Sequence, residues 1–295
     1  MQQTQAAAVA VCTLATEESW KDLKIFLFTL NLYNSPTQIT VYILCDNFIE
    51  KHVKETKYFT GNIITVPSLQ KYMPVNRQLM ERTPGLAYKT KWEDFMMEKA
   101  TVMSLAFENN IKSVFFSDSD MCFMGPLPQP PENTTLALCP HMINHRSQTL
   151  FGKYNAGFLW TNNKDIPEQW RKASHTSRYY DQAALEDLAK AHSQTLHEFS
   201  SNVNYGWWRM FQAQESPPSL QAKWTIFRNS PTPTSGINVD SNPLLSIHTH
   251  LFQLTDINMG AFNRFVIDKL KILKKHAPAS AFLKFLANDL KIDNV

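Results

Sequence analysis

Short apolar runs alternate with helical patterns along the chain. Residues 8–14, 39–45 and 61–67 are apolar runs rich in strand-forming side chains and too short for helices, so we interpret them as strands. Residues 21–32 and 92–109 are predicted helices; the second carries apolar side chains at roughly helical spacing. This order of strand, helix and strand predicts a mainly parallel sheet with crossover helices.

A further predicted strand ends in two carboxylates. Residues 114–116 form a buried apolar run that stops just before Asp118 and Asp120. Ligands of open α/β sheets bind outside the carboxyl ends of the strands, and residues two apart on an extended chain point to the same side. The two carboxylates can therefore converge on one Mg²⁺ or Mn²⁺ ion that keeps positions open for phosphate oxygens. By itself, the pattern is equally typical of a solvated turn.

Two predicted elements of the second half carry polar groups of interest. Residues 153–162 read as a strand in which Gly157 permits close backbone approach. Residues 180–192 read as a helix with Asp181 and Gln182 in its first turn. An acidic residue in a first turn is common, so an ordinary helix start is an equal alternative for Asp181.

Another predicted strand, residues 244–251, contains His248 and His250 near its end. A lone histidine beside apolar residues is usually structural, but two of them downstream of an acidic pair are candidate metal ligands. Residues 199–211 are rich in tyrosine and tryptophan, which suits either a sugar-binding wall or core packing.

Composition excludes several functional classes. A hydrophobic content of 43% and a charged content of 19% are typical of a globular protein. The net charge of +3 is too small to predict nucleic-acid binding. The cysteines have no C-x-x-C spacing, so we expect buried free thiols in a reducing compartment. Neither a secretory signal nor a membrane span is evident, which predicts a cytoplasmic protein or one that has lost an anchor.

The tail, residues 262–290, has apolar residues at helical spacing opposite several lysines. We interpret it as a terminal helix that packs its apolar face on the domain. Peripheral contact of this basic helix with an anionic membrane is the alternative.

In combination, the motifs resemble the nucleotide-sugar glycosyltransferases of the GT-A fold, and most closely glycosyltransferase family 8, the glycogenin and galactosyltransferase type. The resemblance spans about residues 8–255, and its motifs follow the family order. The matching positions are Thr13-Leu14-Ala15-Thr16, Lys99, Asp118-Ser119-Asp120, Asn155-Ala156-Gly157, Asp181-Gln182 and His248.

The resemblance implies one α/β GT-A domain, residues 1–295, with a mainly parallel central sheet flanked by helices. Residues 1–125 would be the nucleotide-binding half, 126–255 the acceptor half and 256–295 a helical tail. It also implies a hexosyl- or pentosyltransferase that uses Mn²⁺ or Mg²⁺ and a nucleotide-diphosphate sugar, with UDP expected. The acceptor would be a hydroxyl of a glycan or another molecule, and the anomeric configuration would be retained.

The resemblance also implies roles for the matching residues. Asp118, Asp120 and His248 would bind the metal, and Asp181 and Gln182 would carry out catalysis beside the anomeric carbon. The implied donor-binding residues are Thr13, Ala15, Thr16, Lys99, Asp118, Ser119, Asn155, Ala156 and Gly157. The family's Gly-x-x-Lys-Pro-Trp segment, which grips the diphosphate, is missing after His248, so His250, Lys89 or Lys91 is expected to take that role.

Three alternatives stay open at this point. An inverting GT-A enzyme would use Asp181 as the general base for the acceptor hydroxyl. A nucleotidyltransferase is disfavoured because residues 13–20 contain no glycine for a phosphate loop. A non-catalytic protein that binds nucleotide sugars or glycans would keep the same residues without turnover.

Overall fold

The computed structural model describes residues 9–73, 76–227 and 233–292. The predicted strand residue Ala8 and the N-terminal segment that argued against a secretory signal lie outside this range. The strands are β1 (Val9–Ala15), β2 (Ile39–Cys45), β3 (Asn62–Val66), β4 (Ser113–Ser117), β5 (Met121–Phe123), β6 (Leu136–Pro140), β7 (Tyr154–Thr161), β8 (Leu196–Glu198), β9 (Tyr205–Gly206), β10 (Trp224–Ile226), β11 (Ile237–Val239), β12 (Asn242–Pro243) and β13 (Ser246–His248).

The helices are α1 (Trp20–Tyr33), α2 (Asn47–Val53), α3 (Arg77–Arg82), α4 (Lys91–Glu108), α5 (His145–Phe151), α6 (Ile166–Ser174), α7 (Tyr180–Ala183), α8 (Leu185–Ala191), α9 (Trp207–Phe211), α10 (Pro217–Ala222), α11 (Ile257–Ile272) and α12 (Ala277–Asn288). The longest helices are α1, α4, α11 and α12.

The central sheet has seven strands in the order β3-β2-β1-β4-β7-β6-β8. Strand β7 is antiparallel to both of its neighbours, and the other pairings are parallel. The predicted α/β class, with a mainly parallel central sheet flanked by helices, is confirmed.

The two faces of the sheet are covered by different helices. In β1, Ala10, Cys12 and Leu14 belong to the core formed with α4, whereas Val11 and Ala15 belong to the core formed with α1. This period of two places apolar side chains on both faces, as expected for a parallel strand buried on both sides.

A small second sheet, β5-β13-β9, lies beside the end of β4. Strand β13 pairs antiparallel with β5 in the register Ser246↔Phe123, Ile247↔Cys122 and His248↔Met121. Because Met121 directly follows Asp120, this register brings the end of β13 to the acidic pair. A third sheet, β10-β11-β12, is antiparallel throughout.

The C-terminal helices pack against the domain. Phe262, Val266 and Leu270 of α11 are fully buried in a core that includes residues of the second and third sheets. Phe285 of α12 stacks on Phe28 of α1 at a ring separation of 4.1 Å. The prediction that the tail is helical and packs on the domain is therefore confirmed, although the tail forms two helices, α11 and α12, and not one.

Some sequence expectations differ from the structure. The sequence of residues 74–91 shows no apolar period and predicts a loop, but Arg77–Arg82 form helix α3, whose N-cap Asn76 side chain accepts a hydrogen bond from the backbone N–H of Leu79. The predicted helix over residues 180–192 is split into α7 and α8, and strand β13 is shorter than predicted. Residues 74 and 75 of the predicted loop lie outside the described range.

The cysteines are all buried free thiols, as predicted, and they lie in β1, β2, β5 and β6. Burial raises the pKa of the Cys12 thiol, so this group stays protonated and acts as an apolar side chain. Among the described residues, no helix combines the length and apolar character needed to cross a membrane.

Candidate active site

A cleft of about 450 Å³ opens beside the carboxyl ends of β1 and β4 and the start of β7. It is walled by residues from both halves of the chain. The lining residues are Leu14, Thr16, Ser19, Arg77, Trp92, Phe95, Met96, Lys99, Asp118, Ser119, Asp120, Asn155, Ala156, Gly157, Tyr179, Tyr180, Asp181, Gln182, Trp208, His248 and His250.

Three candidate metal ligands meet in this cleft. Ligand atoms of Asp118, Asp120 and His248 all lie within 4.8 Å of one another. His248 Nε2 is 3.1 Å from Asp120 Oδ1 and 3.9 Å from Asp118 Oδ2. Two carboxylates and one imidazole form a donor set that suits Mn²⁺ or Mg²⁺ with positions left open.

Close approach of the third ligand depends on Gly157. The backbone N–H of Asp118 donates to the carbonyl of Gly157 at 2.8 Å, which places β7 against the acidic pair. A Cβ atom at Gly157 would lie 2.2 Å from His248 Cε1 and 2.8 Å from Asp118 Oδ2. Only glycine therefore leaves room for His248 to face Asp118, and the close backbone approach predicted from the sequence is present.

The ligand His248 is fixed by its surroundings. Its side chain is 8% exposed, and Trp208 packs edge-on against it at 4.9 Å. Its Nδ1 forms a hydrogen bond of 2.9 Å with Asn204 Oδ1, so Nε2 is the nitrogen that faces the two carboxylates. Metal-binding histidines usually have such a partner on the other ring nitrogen.

A buried lysine links the acidic pair to the catalytic candidates. Lys99 Nζ lies 3.2 Å from Asp118 Oδ1, 2.9 Å from Asp181 Oδ2 and 3.3 Å from the carbonyl of Ala156. Burial lowers the pKa of Lys99, but the two carboxylates outweigh this effect and raise the pKa above its usual value. Its single positive charge is therefore shared between Asp118 and Asp181, and its side chain is only 5% exposed.

The two carboxylates of the acidic pair respond differently to their surroundings. Burial raises the pKa of Asp118 above its usual value, although Lys99 opposes this shift. Burial also acts on Asp120, but its neighbours His248 and His250 outweigh burial and lower the pKa of Asp120. The two carboxylates of the acidic pair therefore have pKa shifts in opposite directions.

Asp181 and Gln182 lie together at the start of α7. The carbonyl of Asp181 accepts a hydrogen bond of 2.7 Å from Trp170 Nε1. Gln182 Oε1 accepts from Asn155 Nδ2 at 3.2 Å, and Gln182 Nε2 donates to the carbonyl of Phe151 at 2.7 Å. Both side chains line the cleft beside Asn155, so the predicted catalytic and donor-binding residues are neighbours here.

His250 forms an ion pair with the buried Asp22 that the sequence did not indicate. Its Nδ1 lies 2.8 Å from Asp22 Oδ2, and its Nε2 lies 3.7 Å from Asp120 Oδ2. The hydrogen bond to Asp22 raises the pKa of His250 to about 9, while burial raises the pKa of Asp22 to about 6 and His250 opposes that rise. Near neutral pH the pair is therefore ionised, and His250 presents a positive charge to the cleft.

The predicted donor-binding residues in β1 and directly after it do not all line the cleft. Thr16 and Leu14 line it, whereas the side chain of Thr13 is fully buried and that of Ala15 packs in the α1 core. Because alternate side chains of an extended chain point to opposite faces, Leu14 and Thr16 face the cleft while Thr13 and Ala15 face away from it.

The proposed diphosphate cations Lys89 and Lys91 are also absent from the described lining of the cleft. Lys89 borders a separate cavity with Tyr88 and His175, and Lys91 lies over the ring of Tyr72. The residue of this part of the chain that lines the cleft with a positive charge is Arg77 of α3.

Arg77 and neighbouring aromatic residues form one end of the cleft. Its guanidinium stacks 4.8 Å from the ring centre of Trp92 and forms an ion pair of 2.8 Å with Glu81. Glu81 also accepts a hydrogen bond of 3.2 Å from Tyr180, which has a left-handed backbone with φ of 44°. These contacts join α3 to the start of α7 across the cleft.

No protein-family model matches the chain, and no curated protein matches it. Among solved structures, the apo form of the glycosyltransferase GlyE of Streptococcus pneumoniae TIGR4 is similar at a TM-score of 0.45 and 17% identity. That similarity covers 67% of this chain and 46% of GlyE, so the chain spans less than half of the GlyE length.

Mouse xyloside xylosyltransferase 1, also an apo form, is similar at a TM-score of 0.45 and 11% identity over 68% of this chain and 89% of its own. Similarities at this level do not by themselves support a functional assignment, which therefore depends on the site.

We expect Gly157→Ala to weaken Mn²⁺ binding, because the added methyl group would push His248 away from Asp118. Overpacking should also cost about 1–3 kcal/mol of unfolding free energy. Calorimetric Mn²⁺ titration and urea denaturation measure both effects. Gly125→Ala is the control, because its nearest described contact is a movable leucine side-chain end at 2.8 Å. Unchanged Mn²⁺ affinity in Gly157→Ala would contradict the crowded geometry.

We expect Lys99→Met to lower the free energy of unfolding by about 3–5 kcal/mol, because it leaves Asp118 and Asp181 without their buried cation. Urea denaturation measures this loss. The control Lys54→Met removes an exposed pair with Glu50 and should cost at most about 1 kcal/mol. Equal losses in the two variants would show that the Lys99 charge is not needed.

Proposed function

We propose that this chain is a metal-dependent glycosyltransferase of the GT-A fold that moves a sugar from a nucleotide diphosphate to an acceptor hydroxyl. The observation that carries the proposal is that residues of all the sequence motifs line the same cleft. Thr16, Lys99, the pair Asp118 and Asp120, residues 155–157, the pair Asp181 and Gln182, and His248 are far apart in the sequence, yet all line one cleft. A chance Asp-x-Asp turn would not require the other motifs to assemble around it.

The metal site supports this chemistry. Asp118, Asp120 and His248 would hold Mn²⁺ or Mg²⁺, and the Gly157 backbone leaves the space for that cluster. The bound ion would supply a Lewis acid for the oxygens of a diphosphate leaving group. His250, oriented by Asp22, would add a positive charge on the same side, and Arg77 would add another from α3. These cations would replace the missing family lysine.

A sugar that leaves the diphosphate would be held between Asn155, Asp181 and Gln182. The Gln182 carboxamide is fixed at both ends, and its oxygen would stabilise positive charge that develops on the sugar ring. Asp181 is 6% exposed and paired with Lys99, so it is better suited to position Lys99 and the sugar than to take a proton from an acceptor. We therefore propose retention of the anomeric configuration, as the family resemblance implies.

The identity of the donor follows only from the resemblance, which favours a UDP-linked hexose or pentose. The acceptor would be a glycan or another hydroxyl compound. The lysines of α11 leave peripheral membrane contact of the C-terminal tail as a separate prediction.

We expect a single class of nucleotide sugar to raise the melting temperature of the chain, and only when Mn²⁺ is present. Ligand at about a hundred times its Kd stabilises the folded state by about 2.7 kcal/mol. Thermal denaturation with UDP-, GDP- and dTDP-sugars measures the shift. Asp120→Asn should abolish it, whereas Asp187→Asn, at an exposed position of α8, should keep it. If no nucleotide shifts the wild-type protein with any metal, the proposal is wrong.

We further expect the product to keep the anomeric configuration of the donor sugar, because Asp181 is occupied by Lys99 and not free to act as a base. Proton NMR of the early product, recorded with the donor identified by thermal shift, reports the configuration directly. An inverted product would favour the alternative in which Asp181 is the general base. Tight donor binding without any product, in the presence of varied acceptors, would favour a non-catalytic binding protein.

A further inference from the structure

Asn204 is a buried polar residue that the sequence motifs did not single out. It is 0% exposed, and its backbone N–H donates to Ser246 Oγ at 2.8 Å. Its φ of 53° is in the left-handed region, which asparagine adopts more readily than most residues with a side chain. The backbone of Asn204 is therefore held in one place, and its side chain has little freedom to move.

The direction of the hydrogen bonds around Asn204 follows from Gly157. The backbone N–H of Gly157, which can only donate, points to Oδ1 of Asn155 at 3.0 Å. That atom must be the oxygen, so Asn204 faces it with its amide nitrogen, at 2.9 Å. Asn204 then presents its oxygen to Nδ1 of His248, and the proton of that bond belongs to the histidine.

The hydrogen bonds of Gln182, at the other end of this chain of side-chain amides, require the same donor and acceptor orientation. Gln182 Nε2 donates to the carbonyl of Phe151, which can only accept. Gln182 therefore presents its oxygen to Nδ2 of Asn155. Backbone groups at Gly157 and Phe151 thus require the same orientation of every side-chain amide between Gln182 and His248.

We propose that Asn204 is a positioning residue that keeps a proton on Nδ1 of His248, so that the lone pair on Nε2 faces Asp118 and Asp120. Through Asn155, the same side chain fixes the carboxamide of Gln182. The side-chain amide of Asn204 thereby fixes the orientation of the His248 ring and, through Asn155, the orientation of the Gln182 carboxamide. This inference rests on the proposed function, because it assigns Asn204 a part in that same site.

The test compares three single variants in Mn²⁺ binding and in sugar transfer. Asn204→Gly keeps the left-handed backbone and removes both side-chain bonds. Asn204→Asp also tolerates this backbone and keeps an acceptor for His248, but it has no donor for Asn155. Asn202→Ala is the matched control, because Asn202 is a buried asparagine of the same loop that bonds to Pro243 and Ser200 and not to His248.

The dissociation constant of Mn²⁺ is measured from the electron paramagnetic resonance signal of the free ion, which does not depend on activity. We expect Asn204→Gly to raise it by about 10–100-fold, the usual effect of removing such a partner from a metal-binding histidine. Asn204→Asp should stay within about threefold of the wild type in Mn²⁺ binding while its kcat falls by about tenfold or more. Asn202→Ala should change neither value, even if its melting temperature drops.

Two outcomes separate failure of this inference from failure of the proposed function. If the wild type binds Mn²⁺ and folded Asn204→Gly binds it within about twofold, Asn204 has only a structural role and the inference is overturned. It is likewise overturned if Asn204→Asp loses Mn²⁺ binding as fully as Asn204→Gly. If the wild type binds no Mn²⁺, and Asp120→Asn does not differ from it, the proposed function itself fails.

Discussion

Charge compensation among partly buried and buried carboxylates is the constraint on which the site depends. Carboxylates with little access to water are costly unless cations or hydrogen bonds accompany them. Lys99 supplies that charge to Asp118 and Asp181, and His250 supplies it to Asp120. These ion pairs draw residues from distant parts of the chain to one point.

Ion pairing alone does not decide where each ligand atom points. That precision comes from the backbone. The register of β13 on β5 places His248 opposite Met121, next to Asp120. The absence of a side chain at Gly157 allows the imidazole of His248 to approach Asp118. Directed amide bonds then fix the ring and the Gln182 carboxamide in one orientation. A site built in this way needs little rearrangement when a ligand enters, which is the condition for effective electrostatic catalysis.

Much of the fold was readable from the sequence because its signals are local. The apolar run of β2 and the helical spacing of α4 each identify an element from neighbouring residues alone, and both were predicted within one residue of their bounds. Helix α3 was missed because it is short, mostly exposed and depends on the Asn76 cap more than on an apolar face. The split between α7 and α8 was missed because apolar spacing continues across the break.

The sequence by itself determined the α/β class, the strand that ends in Asp118 and Asp120, and the order of the candidate motifs. It did not determine that Arg77, rather than Lys89 or Lys91, reaches the cleft, nor that Asp22 pairs with His250. Asn204 was equally hidden, because the asparagines of an aromatic stretch carry no spacing signal. Only the tertiary structure decided these points, since each depends on contacts between residues far apart in the chain, which local patterns do not encode.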